Sequence, residues 1–174
     1  MGMHTILPAL LLAATFVQPK LIDQTGHAFT FDSLRGSAVA LTFVSAHCSD
    51  ACPLIDAEFA AADAALKKSH TGVRLLTITL DPERDSLGDL RKLAHTFSAD
   101  PRTWIVAGGT RKDVHEVMNA FGVIAQRGPD GYEDAHSTEV FVIDARGVLR
   151  ATLLPSRNLP EQITEAVRET GRTR

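Results

Sequence analysis

Apolar and polar positions follow one another along the chain in blocks that predict strands and helices in turn. Two continuous apolar runs, 38–45 and 73–80, have the length and character of buried parallel strands. Apolar residues recur at helical spacing over 53–69 and 87–97. The predicted elements, in order, are a hairpin over 20–31, a one-turn helix over 32–36, a strand over 38–45, a helix over 53–69, a strand over 73–80, a helix over 87–97, a strand over 103–107, a helix over 112–121, a hairpin over 140–153 and a helix over 159–170.

This order of elements predicts an α/β fold. Strands that are separated by helices of ten or more residues imply βαβ crossovers and a parallel sheet. The hairpin over 140–153 should add an antiparallel edge. We therefore expect a central, mostly parallel sheet with an antiparallel C-terminal edge hairpin, flanked by helices and built by residues 18–174 as one domain.

The N-terminal segment 1–17 precedes the predicted domain and differs from it in composition. Ile6–Val17 is almost entirely apolar, but it is shorter than the roughly 20 residues that a bilayer span needs. No Lys or Arg precedes it, and no clean small-residue cleavage pattern follows it. A secretory signal, the remnant of an anchor and an N-terminal strand of the fold all remain open for this segment.

The net charge and the number of cysteines limit the functions that this protein can have. The formal net charge is -3 and no long basic run is present, which argues against nucleic acid as a partner. The chain has 2 cysteines, Cys48 and Cys52, and a bridge between them would close a very small loop. A domain of this length needs no such staple to fold, so the pair points to chemistry.

The two cysteines lie where ligands usually bind in this class of fold. The segment His47–Pro53 follows a predicted buried strand and precedes a helix, and α/β sheets place ligand sites beyond the carboxyl ends of their strands. Proline at the first helical position puts Cys52 at the helix cap, where the partial positive charge favours thiolate. A metal site, a redox pair and two unliganded core cysteines are the alternatives.

A defined metal site needs a third ligand, and His136 is the main candidate. It lies in the loop that enters the strand beginning at Val140. It is either a ligand or an ordinary loop histidine. His47 adjoins Cys48, but neighbouring side chains on extended backbone point in opposite directions, so we expect it to pack or to support the site without binding metal.

Three separated motifs together resemble the Sco/SenC family of copper proteins. They are Cys48-Ser-Asp-Ala-Cys-Pro53, Asp81-Pro-Glu-Arg-Asp85 after an apolar strand, and His136-Ser before the strand that ends at Asp144. Trp104 and Ala120-Phe-Gly-Val123 also fit the spacing, and the likeness runs over roughly 18–170.

The resemblance implies a thioredoxin-like fold in which Cys48, Cys52 and His136 bind copper, as Cu(I) or Cu(II). It also implies a periplasmic or otherwise extracytoplasmic place, an N-terminal membrane anchor and a monomer. The expected role is that of a metallochaperone, which delivers copper to the dinuclear copper centre of cytochrome c oxidase. The partner would be the copper-receiving oxidase subunit or another copper chaperone.

The chain departs from the family pattern at two positions. Many members have proline where this chain has Ser49, and aspartate where it has Ala135; Asp134 lies one residue further back. The Asp81–Asp85 motif is either a solvated loop or a support for the cysteine loop, and we assign it no ligand.

Two enzymatic alternatives use the same cysteines. A thiol–disulfide oxidoreductase would employ Cys48 as the attacking thiolate and Cys52 as the resolving thiol, and both would be catalytic only if the pair is redox-active. Reductases of thioredoxin type normally have C-x-x-C and a proline before the facing strand, whereas 135–144 contains no proline. A peroxiredoxin-like peroxidase would need a proline where Leu41 stands.

Overall fold

The computed structural model describes the backbone of residues 18–47, 52–69, 72–127, 133–136 and 138–171, and the side chains of 18–47, 57–68, 72–125 and 138–168. The segment 1–17 and Cys48 lie outside the described residues, so the expectations for them are not addressed by the fold. The elements are β1 (Leu21–Asp23), β2 (Ala28–Phe29), a short 3-10 helix (Phe31–Leu34), β3 (Val39–Val44), α1 (Cys52–Ser69), β4 (Arg74–Thr79), α2 (Leu87–Thr96), β5 (Trp104–Gly109), α3 (Arg111–Ala120), β6 (Ala125–Arg127), β7 (Glu133–His136), β8 (Val140–Ile143), β9 (Leu149–Leu153) and α4 (Leu159–Gly171).

Within the described residues, seven strands form one sheet in the order β2-β1-β5-β4-β3-β8-β9. The three central strands β5, β4 and β3 are parallel, and β8 runs antiparallel to β3. The C-terminal hairpin therefore forms an antiparallel edge, as predicted. The N-terminal hairpin also joins the sheet, because β1 pairs antiparallel with β5, so the parallel part is confined to the centre.

Helices cover both faces of the sheet. One buried cluster contains Val114 and Val117 of α3 and side chains of β3 such as Leu41. The opposite cluster contains residues from the other helices, including Phe59 of α1 and Ile163 of α4. All six residues of β3 are buried, which explains why this strand is a continuous apolar run.

Trp104 belongs to this core, as predicted. It is 1% exposed and packs near Phe59, with ring centroids 5.9 Å apart. Its indole N–H donates to the Thr77 hydroxyl over 2.9 Å, so the polar atom of this buried ring is satisfied. No described helix is long and apolar enough to cross a membrane.

Candidate metal site

Cys52 is the first residue of α1, which follows β3 along the chain. The helix begins after the carboxyl end of β3, one of the three central strands, and within one residue of the start predicted from Pro53. The N-terminus of an 18-residue helix carries partial positive charge that stabilises a thiolate placed there. The side chain of Cys52 is outside the described set, so its role as ligand stays a prediction.

His136 is the last residue of β7, a strand that the sequence reasoning placed in a loop. β7 pairs antiparallel with β6 in a separate two-stranded sheet, and His136 is opposite Ala125. The sequence contains an indication of this hairpin, which the prediction missed. Gly128-Pro-Asp-Gly131, between the two strands, consists of residue types that favour turns.

After His136 the chain enters β8, which starts at the end of the sheet where β3 finishes and the chain continues toward Cys52. His136 and Val140 are four positions apart along the chain, so the two backbone positions are at most about 14 Å apart. β8 begins beside the end of β3, where the Thr42 hydroxyl donates to the carbonyl of Glu139 over 3.2 Å. The backbone of His136 thus lies within about 14 Å of the start of β8, which adjoins the end of β3 from which the chain continues to Cys52.

The two aspartates of the Asp81–Asp85 motif are buried, whereas Glu83 between them is exposed. Asp81 is 1% exposed and Asp85 is 5% exposed. The backbone N–H groups of Arg84 and Asp85 both donate to the carbonyl of Asp81, over 3.0 and 2.9 Å, which closes a tight turn after β4. Because β4 is the parallel neighbour of β3, this turn lies beside the loop that leads to Cys48.

The contact between the turn and that loop is made by Asp85. Its Oδ2 accepts the N–H of Ala46 over 3.0 Å, and its Oδ1 lies 2.8 Å from Nδ1 of His47. His47 stands in a turn, so the alternation expected of extended backbone does not apply to it. Its ring contacts a buried carboxylate, which agrees with the expected supporting role. Sequence reasoning missed the contact, because nothing local links residues that are 38 positions apart.

The helix that follows the turn is firmly capped. Ser86 accepts the N–H of Asp89 over 3.3 Å, and its own N–H donates to the Asp89 carboxylate over 2.9 Å. The Ser86 hydroxyl also donates to the Asp89 carboxylate over 2.6 Å, and this bond together with that from the Ser86 N–H holds the pKa of Asp89 below its ordinary value. The capping box fixes the start of α2 directly after Asp85.

Two further observations concern other metal or ligand sites. Among the side chains that the structure describes, no three His, Cys, Asp or Glu groups come together in a way that could hold a metal ion. A cavity of about 470 Å³ is lined by residues including Phe31, Val39 and Ile143. Val39 and Ile143 pair at the beginning of β3, so the cavity lies at the end of the sheet opposite Cys52.

Comparison with known proteins identifies relatives along nearly the whole chain. The family model SCO1/SenC matches residues 12–171. The mitochondrial SCO2 homolog of Danio rerio is 30% identical over 159 residues, which is 88% of this chain and 56% of that protein. An SCO2-like protein of Rickettsia conorii is 30% identical over 133 residues, 74% of this chain and 63% of its own length. The chain thus spans less than two thirds of these relatives.

Solved structures share the fold. Arabidopsis thaliana ScoI with copper bound has a TM-score of 0.78 at 24% identity and covers 87% of this chain and 97% of its own. BsSco, which has a disulfide switch and belongs to the Sco family of cytochrome c oxidase assembly proteins, has a TM-score of 0.76 at 20% identity over 89% of this chain and 92% of its own. A SCO1/SenC family lipoprotein of Bacillus anthracis has a TM-score of 0.79 at 21% identity over 87% and 92%. These likenesses confirm the predicted thioredoxin-like α/β fold.

Proposed function

The chain belongs to the SCO1/SenC family, and we propose that it is a copper chaperone whose ligands are Cys48, Cys52 and His136. Its task is to deliver copper to the dinuclear copper centre of cytochrome c oxidase, with the copper-receiving subunit or another chaperone as partner. The copper-bound ScoI structure and the assembly role stated for the family of BsSco support this proposal.

The observation that carries the proposal is the position of two predicted ligands along the chain relative to β3 and its neighbour β8. Cys52 begins α1 after β3, and His136 ends β7 shortly before β8, the neighbour of β3. Two thiolates and one imidazole are a donor set that suits Cu(I), and the imidazole also suits Cu(II). With three protein ligands, a thiolate of the partner can enter and displace one of them, so copper passes by ligand exchange. No covalent bond of a substrate has to break, so transfer itself requires no enzymatic step.

The second candidate function is thiol–disulfide exchange through Cys48 and Cys52. The disulfide switch of BsSco favours it. The absence of a proline in 135–144 and the C-x-x-x-C spacing count against it. The two roles are compatible, because copper delivery needs reduced cysteines on the receiving protein.

The two functions can be distinguished experimentally at His136, because only copper binding requires this third ligand. Replacing His136 with Ala should weaken copper binding at least tenfold, about 1.4 kcal/mol, while Cys48–Cys52 disulfide formation continues. Cys48→Ser should abolish both, because it removes a soft ligand and an exchange partner together.

The assay is an anaerobic competition against a chelator of known Cu(I) affinity. His95→Ala is the matched control, because His95 is an exposed histidine of α2 and should leave copper affinity unchanged. Wild-type affinity in His136→Ala would refute the three-ligand site and favour the oxidoreductase.

The location that fits this role is extracytoplasmic. The apolar segment Ile6–Val17 would act as signal or anchor ahead of the 18–174 domain. The Bacillus anthracis neighbour is a lipoprotein, which supports a membrane-attached place outside the cytoplasm. We expect the domain to act as a monomer and to bind no nucleic acid.

A further inference from the structure

Asp85 is a buried acid that is not among the proposed ligands, yet it contacts the chain just before Cys48. Its side chain is 0% exposed, whereas the side chain of its neighbour His47 is 41% exposed. A buried carboxylate is stable only where donors surround it, so its contacts define what it holds in place.

The two oxygens of Asp85 have three partners between them. Oδ2 accepts the backbone N–H of Ala46 over 3.0 Å and the hydroxyl of Thr79. Oδ1 lies 2.8 Å from Nδ1 of His47, within hydrogen-bond distance. Two of the three partners belong to the residues that lead into Cys48, and the third belongs to β4.

Asp85 is attached to regular, hydrogen-bonded structure. Val44 and Thr79 are register partners at the ends of the parallel strands β3 and β4. The Thr79 hydroxyl also accepts the N–H of Asp81 over 3.1 Å, and the capping box of α2 begins at Ser86. Asp85 thus joins the segment before Cys48 to a strand end, a closed turn and a capped helix.

We infer that Asp85 is a positioning residue for the copper loop, holding Ala46 and His47 so that the chain enters Cys48 in one fixed conformation. This inference rests on the proposed function. A ligand held by preorganised support loses less conformational freedom when metal binds, and loss of such supporting partners typically costs 10–100-fold in metal affinity.

Two replacements of Asp85 should have graded effects. Asp85→Ala removes every contact to the loop and should lower Cu(I) affinity by about tenfold or more. Asp85→Asn keeps the size and one acceptor oxygen for Ala46 and Thr79, but its amide N–H₂ then faces Nδ1 of His47. The Asp85→Asn variant should therefore lose less Cu(I) affinity than Asp85→Ala, but the loss should still be measurable.

Asp144→Ala is the matched control. Asp144 is also 5% exposed and accepts backbone N–H groups, from Arg146 and Val148. It follows Ile143, which pairs with Val39 at the beginning of β3, so it lies at the other end of the sheet. Its loss should destabilise the fold and leave copper affinity within about twofold of wild type.

The experiment measures Cu(I) affinity and copper dissociation rate anaerobically on the reduced full chain for wild type and the three variants, with apo-protein melting beside them. A separate sample of each protein, loaded with Cu(II), is used to record the thiolate-to-Cu(II) charge-transfer band. The inference predicts weaker binding, faster dissociation and a shifted band in the Asp85 variants, with none of these in Asp144→Ala.

Two results would overturn the inference. Either the Asp85 variants bind copper within twofold of wild type, or Asp144→Ala loses as much affinity as they do. If Asp85→Ala does not fold, Asp85→Asn alone decides. Weak binding by His136→Ala beside unchanged Asp85 variants would refute only this inference, whereas wild-type binding by His136→Ala refutes the proposed function.

Discussion

The replacement Asp144→Asn should lower the free energy of unfolding by about 2 kcal/mol at neutral pH. The Asp144 carboxylate closes the turn between β8 and β9. One oxygen accepts the N–H groups of Arg146 and Val148 over 2.9 and 3.0 Å. The other accepts Nε and Nη2 of Arg150 over 2.9 and 2.6 Å.

The magnitude follows from which of these bonds asparagine can keep. Its amide oxygen can retain the two backbone donors, but its N–H₂ group then meets the donors of Arg150. Hydrogen bonds to charged groups contribute about 1.5–3 kcal/mol each. Arg150 is 30% exposed, so water replaces part of what is lost and the pair together contributes about 2 kcal/mol. In a domain of this size the melting temperature should fall by about 4–8 °C.

The effect should depend on pH with a defined sign. Burial by itself raises the pKa of Asp144. The Val148 N–H, the Arg150 side chain and the Arg146 N–H lower it by a larger amount, so the pKa ends well below the ordinary range. A group whose pKa is depressed in the folded state stabilises the fold above its unfolded pKa of about 3.9. That stability is lost as the pH falls below this value toward the folded pKa.

Thermal denaturation of the apo-protein at pH 7 and near pH 2 tests the reasoning. The difference between wild type and Asp144→Asn should be full at pH 7 and smaller in acid. Asp32→Asn is the control, because its ion pair with Arg35 is exposed on both sides and should matter much less. Equal melting temperatures at pH 7, or an undiminished difference in acid, would show that Asp144 does not act as described.

Two further predictions concern the cysteine pair and the N-terminal segment. Oxidation in air should join Cys48 and Cys52 within one chain and block copper uptake, because a disulfide offers no thiolate; thiol counting before and after reduction measures this, and full uptake by the oxidised form would contradict it. Residues 1–17 fused to a reporter that is active only after export should give signal, and retention of the native full-length gene product in the cytosol would be evidence against the extracytoplasmic role.

Local patterns in the sequence were enough to predict most of the elements. The apolar run that became Val39–Val44 and the spacing that became α2, Leu87–Thr96, lie within a few residues of their predicted bounds. Pairing between distant strands has no local signal, so the antiparallel contact of β1 with β5 did not follow from the pattern of the first hairpin.

Of the candidate site, the sequence was enough to predict the helix start at Cys52, but not the contacts around the loop before it. The placement of Cys52 at a helix start followed from the proline after it, since proline is favoured there. The tether from Asp85 to His47 depends on β3 and β4 being neighbours, which is a property of the folded sheet. The pair of strands β6 and β7 was missed because each is only three or four residues long.

The central claim is that Cys48, Cys52 and His136 together hold one copper ion. The most direct measurement is native mass spectrometry of the full chain, reduced and loaded with Cu(I) without air, on wild type and on the double variant Cys48→Ser/Cys52→Ser. We predict one copper per wild-type chain and none on the double variant, because the soft ligands are gone. A wild-type chain without copper, or a double variant that retains it, would contradict the claim.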